Sequence, residues 1–133
     1  MQYDQFVGEV QNRARLPSRG DTVRAIQATL ETLAERIAQG EAEDLAAQLP
    51  PELGTFLRDV DGSQRFAVDE FFERVAKKEN ADLPDAVHHA RAVIAVLQDA
   101  VTAGELDDIR GQLPDDYTPL FEAGSEGEME INV

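Results

Sequence analysis

The chain has 133 residues, a length that fits one domain with a single hydrophobic core. Its 27 acidic side chains against 12 basic ones give a net charge of -15, which disfavours binding to nucleic acid or anionic membranes through bulk electrostatics. The chain contains no cysteine, which excludes a disulfide framework, a thiolate nucleophile and a cysteine-based zinc site.

Two amphipathic helices are predicted in the first third of the chain. Residues 3–15 carry apolar side chains at i, i+3, i+4 and i+7, the spacing of a first helix. The second helix is predicted after Pro17, with Ser18 or Asp21 as its N-cap, and runs to about Gln39. Its apolar positions advance by three and four residues, which predicts one buried stripe: Val23, Ile26, Leu30, Leu33 and Ile37.

A short helix bounded by glycine and proline follows. Gly40 is predicted to cap the second helix in a left-handed conformation. Residues 41–48 then predict a short helix that ends before Pro50. Residues 52–57 predict a further helical turn with an apolar side.

The same pattern occurs a second time after a linker predicted at residues 58–66. Residues 67–121 repeat residues 3–57 at an offset of 65 and then, after a one-residue deletion in a loop, of 64. Every stripe position stays apolar in the second copy: Val87, Ala90, Ile94, Leu97 and Val101. This predicts an all-α fold built by internal duplication. Two similar four-helix halves would pack about a pseudo-twofold axis as one domain over residues 1–121.

The end of the chain, residues 122–133, has a different composition. It contains four glutamates and no basic residue, and its glycines predict a flexible acidic tail. Met129, Ile131 and Val133 alternate with polar residues, so a strand added to the sheet edge of a partner is the alternative.

The repeated unit resembles a known family. The residues that carry the resemblance are Gly40-Glu41, Leu45-Ala46-Ala47-Gln48-Leu49-Pro50, Asp69-Glu70-Phe71 and Gly111-Gln112-Leu113-Pro114. This tandem helical repeat with two Gln-Leu-Pro motifs is similar to the domain of unknown function 2267 family over about residues 3–121. The resemblance implies an all-helical protein of prokaryotic origin and brings no established activity with it.

A positive segment at residues 13–24 is the first candidate interaction site. It carries four arginines, Arg13, Arg15, Arg19 and Arg24, with one acid among them. Such a segment can receive a phosphate, RNA or an acidic part of a partner protein. The alternative is ordinary compensation of a helix dipole, because no aromatic side chain lies nearby in the sequence for base stacking.

Acidic and histidine side chains are the candidates for chemistry. Asp107 and Asp108 form a pair of carboxylates, which can divide general acid and base roles. The alternative places them in the first turn of a short helix, where the helix dipole stabilises them. His89 lies four residues after Asp85, but a zinc site needs further ligands, so exposed histidines at a helix start are expected. No catalytic residues, metal or cofactor are therefore predicted.

The two Gln-Leu-Pro segments have a structural and a functional interpretation. Leu49 and Leu113 are expected to fold back and pack into the core. Gln48 and Gln112 are expected to hydrogen-bond free carbonyl groups at the helix ends. Alternatively the two segments form one symmetric surface for a partner. The second copy is more polar because it contains Arg110, so Asp107, Asp108, Arg110 and Gln112 are further candidate interaction residues.

Composition also predicts the environment of the protein. The basic side chains are ten arginines and two lysines, which together with the acidity is typical of halophilic proteins in molar salt. A GC-rich genome that favours arginine codons is the alternative. The chain lacks an apolar run of membrane-spanning length and begins with a polar segment, so a cytoplasmic protein is expected.

These observations favour a protein-interaction module, acting as an adaptor or regulator and including self-association as one form. A regulator that binds nucleic acid through residues 13–24 is the first alternative. An enzyme or metal-binding protein that uses Asp107, Asp108 or His89 is the second.

Overall fold

The computed structural model describes residues 1–122. Within them the chain is all-helical, which confirms the predicted all-α class. Eight α-helices and a 3₁₀ turn at Asp115–Tyr117 make up this part: α1 Tyr3–Ala14, α2 Arg19–Arg36, α3 Gln39–Ala47, α4 Pro51–Gly54, α5 Val68–Glu79, α6 Leu83–Ala100, α7 Ala103–Gly111 and α8 Thr118–Glu122. None of these helices has the length and apolar content that crossing a membrane requires. Apart from Glu122, the predicted acidic tail lies outside the described residues.

Helix lengths repeat in pairs along the chain. α1 and α5 have 12 residues each, α2 and α6 have 18 each, and α3 and α7 have 9 each. One hydrophobic cluster contains buried side chains from both predicted repeats, such as Leu30 and Ile94. The order of elements follows the two predicted repeats, while the duplication, the domain limits and the pseudo-twofold axis stay predictions.

α2 and α6 form the centre of the fold. They contact each other, and α1 and α5 each pack against both. Because α2 packs against three helices, its buried surface is wider than the predicted stripe. Thr22, Thr29 and Thr32 are fully buried, whereas Val23 is only half-buried. The Thr32 hydroxyl donates to the backbone carbonyl of Ala28 at 2.7 Å, which satisfies it within the helix.

The structure confirms the predicted start of α2 but not its predicted end. Ser18 is the N-cap, and its hydroxyl accepts from the Asp21 N–H at 3.0 Å. The predicted left-handed cap at Gly40 is wrong, because α2 ends at Arg36 and Gly40 belongs to α3. Among residues 1–122 no glycine has a positive φ.

The linker closes the C-terminal end of α2 in place of a glycine cap. The Ser63 N–H donates to the Ile37 carbonyl at 2.8 Å, and the Gln64 N–H donates to the Glu35 carbonyl at 2.9 Å. These carbonyls lie at a helix end, where an intrahelical partner is missing. A Cβ atom on Gly62 would lie 2.6 Å from the Ile37 carbonyl oxygen, so this close approach requires glycine.

Phe66, at the end of the linker, is held by side chains from both predicted repeats. Its carbonyl accepts from Arg36 Nε at 2.9 Å and from the Tyr117 hydroxyl at 2.8 Å. Burial raises the pKa of Tyr117 to about 12, so the hydroxyl keeps its proton and donates. The Arg74 guanidinium lies 3.8 Å from the Phe66 ring centroid and pairs with Glu35 of α2 at 3.1 Å.

Replacing Gly62 with alanine tests the contact between the linker and α2. We expect Gly62→Ala to lower the free energy of unfolding by about 1–3 kcal/mol, because the new Cβ must displace the Ile37 carbonyl. Urea unfolding followed by circular dichroism measures the change. Gly8→Ala is the matched control: its Cβ meets nothing within 4 Å inside α1, so it should stabilise by up to about 1 kcal/mol. Equal effects of the two substitutions would contradict the assigned contact.

Candidate functional site

The two Gln-Leu-Pro segments join α3 to α7. Gln48, the C-cap of α3, accepts from the N–H of Thr102 at 2.9 Å and donates to its hydroxyl at 3.3 Å. Thr102 is the N-cap of α7. Gln112, the C-cap of α7, accepts from the N–H of Ala38, the N-cap of α3, at 2.8 Å. Each helix therefore ends where the other begins, and the two helices are antiparallel.

These glutamine contacts correct the predicted role of Gln48 and Gln112. The side chains do not bond carbonyls at the ends of their own helices. Their amide oxygens accept from the start of the opposite helix, because N–H groups there lack intrahelical partners and lie within reach. Leu49 is buried in the core as predicted, and Leu113 is half-buried against it.

Three carboxylates meet between α3 and α7. Glu41 of α3 and Glu105 and Asp108 of α7 each place one oxygen within 4.8 Å of the other two. We call these three residues the carboxylate cluster. Glu105 and Asp108 are three residues apart and therefore lie on one face of α7. Their exposed neighbour Asp107 is not part of the cluster.

The prediction that Asp107 and Asp108 lie in the first turn of a helix is wrong. α7 begins at Ala103, because the Thr102 hydroxyl accepts from the Glu105 N–H at 3.2 Å and caps the helix. The acid in the first turn is Glu105, and the predicted pair lies in the following turn.

Glu105 is the most enclosed member of the carboxylate cluster, with 7% of its surface exposed. Burial, the hydrogen bond to Glu41 and the negative charges of Glu41, Asp44 and Asp108 raise the pKa of Glu105 to about 8. Glu105 Oε2 and Glu41 Oε2 are buried, and apart from the bond between the two carboxyl groups neither oxygen receives a hydrogen bond from residues 1–122. Buried carboxyl oxygens without an N–H or hydroxyl donor cost free energy, which marks the cluster as a candidate site.

Positive charge collects in a groove beside α3. The groove has a volume of about 450 Å³, and its lining includes Arg36, Ser63, Arg65, Gln112, Leu113 and Pro114. No acidic residue is among the described residues that line it. We call it the arginine groove. Arg36 is fixed by its bond to the Phe66 carbonyl, whereas Arg65 is exposed and forms no ion pair within residues 1–122.

The predicted positive segment at residues 13–24 is largely neutralised. Three of its four arginines form ion pairs at 2.6 to 3.4 Å: Arg13 with Asp99, Arg19 with Asp4 and Arg24 with Asp21. Arg15 is exposed and occupies the left-handed C-cap of α1. The segment therefore presents little unpaired positive charge to a polyanion.

Arg110 lies apart from the carboxylate cluster and packs on an aromatic ring. Its guanidinium is 5.0 Å from the Phe121 ring centroid, a cation–π distance. Together with Leu113 and Tyr117 it lines a small cavity of about 80 Å³. Of the four candidates predicted in the second copy, Asp108 belongs to the cluster and Gln112 contacts it through a bond to Glu41 Oε1 at 3.2 Å.

The prediction of two exposed histidines holds for His88 and is wrong for His89. The His89 side chain is only 12% exposed and its Nδ1 bonds Glu79 Oε1. Glu79 lies at the C-terminal end of α5 and is itself buried, so this contact takes His89 out of solvent. Burial raises the pKa of Glu79, and the bond to His89 opposes that shift.

Sequence reasoning missed several residues of these sites. Glu41 and Glu105 occur at the same place in the two Gly-Glu copies, and each is followed three residues later by an aspartate, Asp44 or Asp108. Two acids spaced i and i+3 lie on one face of a helix, so this repeated spacing could have predicted an acidic site between the two short helices. Arg36 and Arg65 have no comparable signal, because only the folded linker brings them to one groove.

The chain matches a known protein family over most of its length. A family model described as "Uncharacterized conserved protein (DUF2267)" matches residues 3–120. This match includes α3, α7 and both Gln-Leu-Pro segments. No curated protein matches the chain.

The glutamine contacts can be tested by truncating each side chain. We expect Gln48→Ala and Gln112→Ala each to lower the free energy of unfolding by about 1 kcal/mol, because a helix N-terminus loses its acceptor. Urea unfolding is again the measurement. In the control Gln27→Ala, the lost amide bonds only Glu31 on the same helix, so the change should stay below about 0.5 kcal/mol. A control effect as large as the others would refute the capping role.

The raised pKa of Glu105 makes stability depend on pH. The unfolded chain releases this proton near the ordinary value of 4.5, whereas the folded chain holds it to about 8. The contribution of Glu105 to the free energy of unfolding is therefore fully present below pH 4.5 and falls as pH rises towards 8.

Glu105→Gln removes that dependence. Without added metal, it should raise the free energy of unfolding by about 1–3 kcal/mol at pH 8 and change it little at pH 4.5. Chemical unfolding at the two pH values measures the difference. Glu73→Gln, at an exposed acid of α5, is the control and should show no such difference. A loss of stability in Glu105→Gln at pH 8 would contradict a protonated buried carboxyl.

Proposed function

The chain belongs to the DUF2267 family of uncharacterized proteins, and we propose that it is a protein-interaction module that holds an acidic segment of a partner protein in the arginine groove. The observation that carries the proposal is the charge of this groove. In a chain of net charge -15, two arginines line one groove without an acidic side chain among its described lining residues.

The two arginines have complementary roles in such a site. Arg36 is held in place by the Phe66 carbonyl and lies 5.5 Å from the Tyr117 ring centroid, so it loses little conformational freedom on binding. Arg65 is exposed and adapts to the ligand. Leu113 and Pro114 supply an apolar edge for the side chains between the acids of the partner.

The net negative charge of the molecule favours a short acidic partner segment over a long polyanion. At low salt the net negative charge repels long polyanions, whereas a short acidic segment contacts only the groove. Nucleic-acid binding through residues 13–24 has less support, since three of the four arginines there already pair with acids. An enzymatic role also has less support, because Asp107 is separated from the carboxylate cluster and His89 is held by Glu79.

A charge reversal in the groove tests the proposal. The probe is a fluorescein-labelled peptide of six glutamates, and fluorescence anisotropy at low and at molar KCl measures its affinity. We expect Arg65→Glu to weaken binding by about fivefold or more at low salt, because an attractive contact becomes repulsive.

The matched control is Arg58→Glu, which makes the same charge change at a residue that pairs with Glu43 outside the groove. It should change the affinity by less than about twofold. An equal loss in both variants would mean that only the overall charge matters. No binding by the unmodified protein at either salt concentration would end the proposal.

A further inference from the structure

The carboxylate cluster lies between α3 and α7 and has a use that does not depend on the arginine groove. We propose that Glu41, Glu105 and Asp108 bind a divalent cation that prefers oxygen ligands, of the Ca²⁺ type. The cation would connect α3 to α7 through carboxylates from both helices.

The spacing of the three carboxylates fits one ion. Their ligand oxygens all lie within 4.8 Å of one another. Ca²⁺ binds oxygen at about 2.3–2.6 Å, so two oxygens on one ion are at most about 5 Å apart and three oxygens within the observed bound can share it. Ca²⁺ accepts flexible geometry with about 6–8 oxygen ligands, whereas Mg²⁺ demands a near-ideal octahedron and is usually bound by only one or two carboxylates. Three carboxylates from two helices therefore suit Ca²⁺ better, with water completing its coordination shell.

The donor atoms define the class of ion. The cluster offers carboxylate oxygens from three side chains, and neither histidine of the chain is part of it. Zinc and copper prefer nitrogen and sulfur ligands, whereas an all-oxygen set suits calcium, magnesium and manganese. Asp44, whose charge also acts on Glu105, adds to the negative potential around the site.

A second observation points to a ligand independently of the acidic residue count. Glu105 is more than nine-tenths buried, and apart from its bond to the Glu41 carboxyl no group within residues 1–122 donates a hydrogen bond to its Oε2. Glu41 Oε2 is also buried and has no donor in this part of the chain. Both oxygens belong to the side chains whose ligand atoms converge. A bound cation supplies the missing partner to both.

Neighbouring residues hold the cluster in position. Gln112 Nε2 donates to Glu41 Oε1 at 3.2 Å, which leaves Oε2 of the same carboxylate for the ion. The Thr102 hydroxyl accepts from the Glu105 N–H at 3.2 Å and fixes the first turn of α7. Gln112 is thus a positioning residue, and its truncation should weaken cation binding by about tenfold.

Calorimetric titration with CaCl₂ tests the site in the full chain after removal of metal with a chelator. We expect saturable binding of one ion per chain. Thermal unfolding should shift upward by about 5 °C or more at saturating CaCl₂, compared with KCl at the same ionic strength. The comparison with KCl separates binding of Ca²⁺ from the general effect of ionic strength on the stability of an acidic protein.

Adjacent aspartates provide the discriminating variants. Asp108→Asn should lose at least about tenfold in affinity, whereas Asp107→Asn, with the same charge change one residue away, should lose less than about twofold. Glu105→Gln should abolish the CaCl₂-dependent thermal shift while remaining folded, because glutamine preserves the shape of the side chain.

Three results would overturn the proposal. The first is the absence of saturable CaCl₂ binding by the unmodified protein, which would leave a shared proton as the only occupant of the cluster. The second is an equal loss in Asp107→Asn and Asp108→Asn, which would indicate a diffuse ion atmosphere. The third is CaCl₂ binding that Glu105→Gln leaves unchanged, which would place the ion at other carboxylates.

Discussion

The pairing of α3 with α7 depends on the reciprocal bonds that Gln48 and Gln112 form between the two helices. Helices of 9 residues are too short to be stable alone, and the N–H groups at their first turns need acceptors. Each helix obtains an acceptor from the residue that ends the other. This arrangement fixes the two helices as antiparallel and brings Glu41 to face Glu105 and Asp108. The carboxylate cluster is thus a consequence of how the helices are capped.

Two small groups of opposite charge adjoin each other in the fold. Arg36 and Arg65 line the arginine groove, and acids occupy the space between α3 and α7. Gln112 belongs to both regions, because it lines the groove and donates to Glu41. The two proposed sites are therefore connected by one side chain. Part of the acidic composition, which predicts a halophilic environment, thus lies in one defined place, the carboxylate cluster.

Local sequence patterns predicted the local parts of this structure. The apolar period located α1, α2, α5 and α6, and Ser18 was recognised as a cap because its partner lies three residues away. The predicted end of α2 at a Gly40 cap was wrong, because hydrogen bonds from the linker residues Ser63 and Gln64 close this end of the helix. Gln48 and Gln112 act on groups 54 and 74 residues away, which no local pattern reports. The same limit explains why Glu105 was not among the predicted site residues.

The exchange of caps between α3 and α7 also determines how the molecule opens. A motion that separates these helices leaves Gln48, Gln112 and both helix starts without partners at the same time. Phe66 adds a similar connection, since its carbonyl accepts from Arg36 of α2 and from Tyr117 of the 3₁₀ turn. In thermodynamic terms these bonds couple segments that are far apart in the chain, so that opening one of them also removes hydrogen bonds from the other.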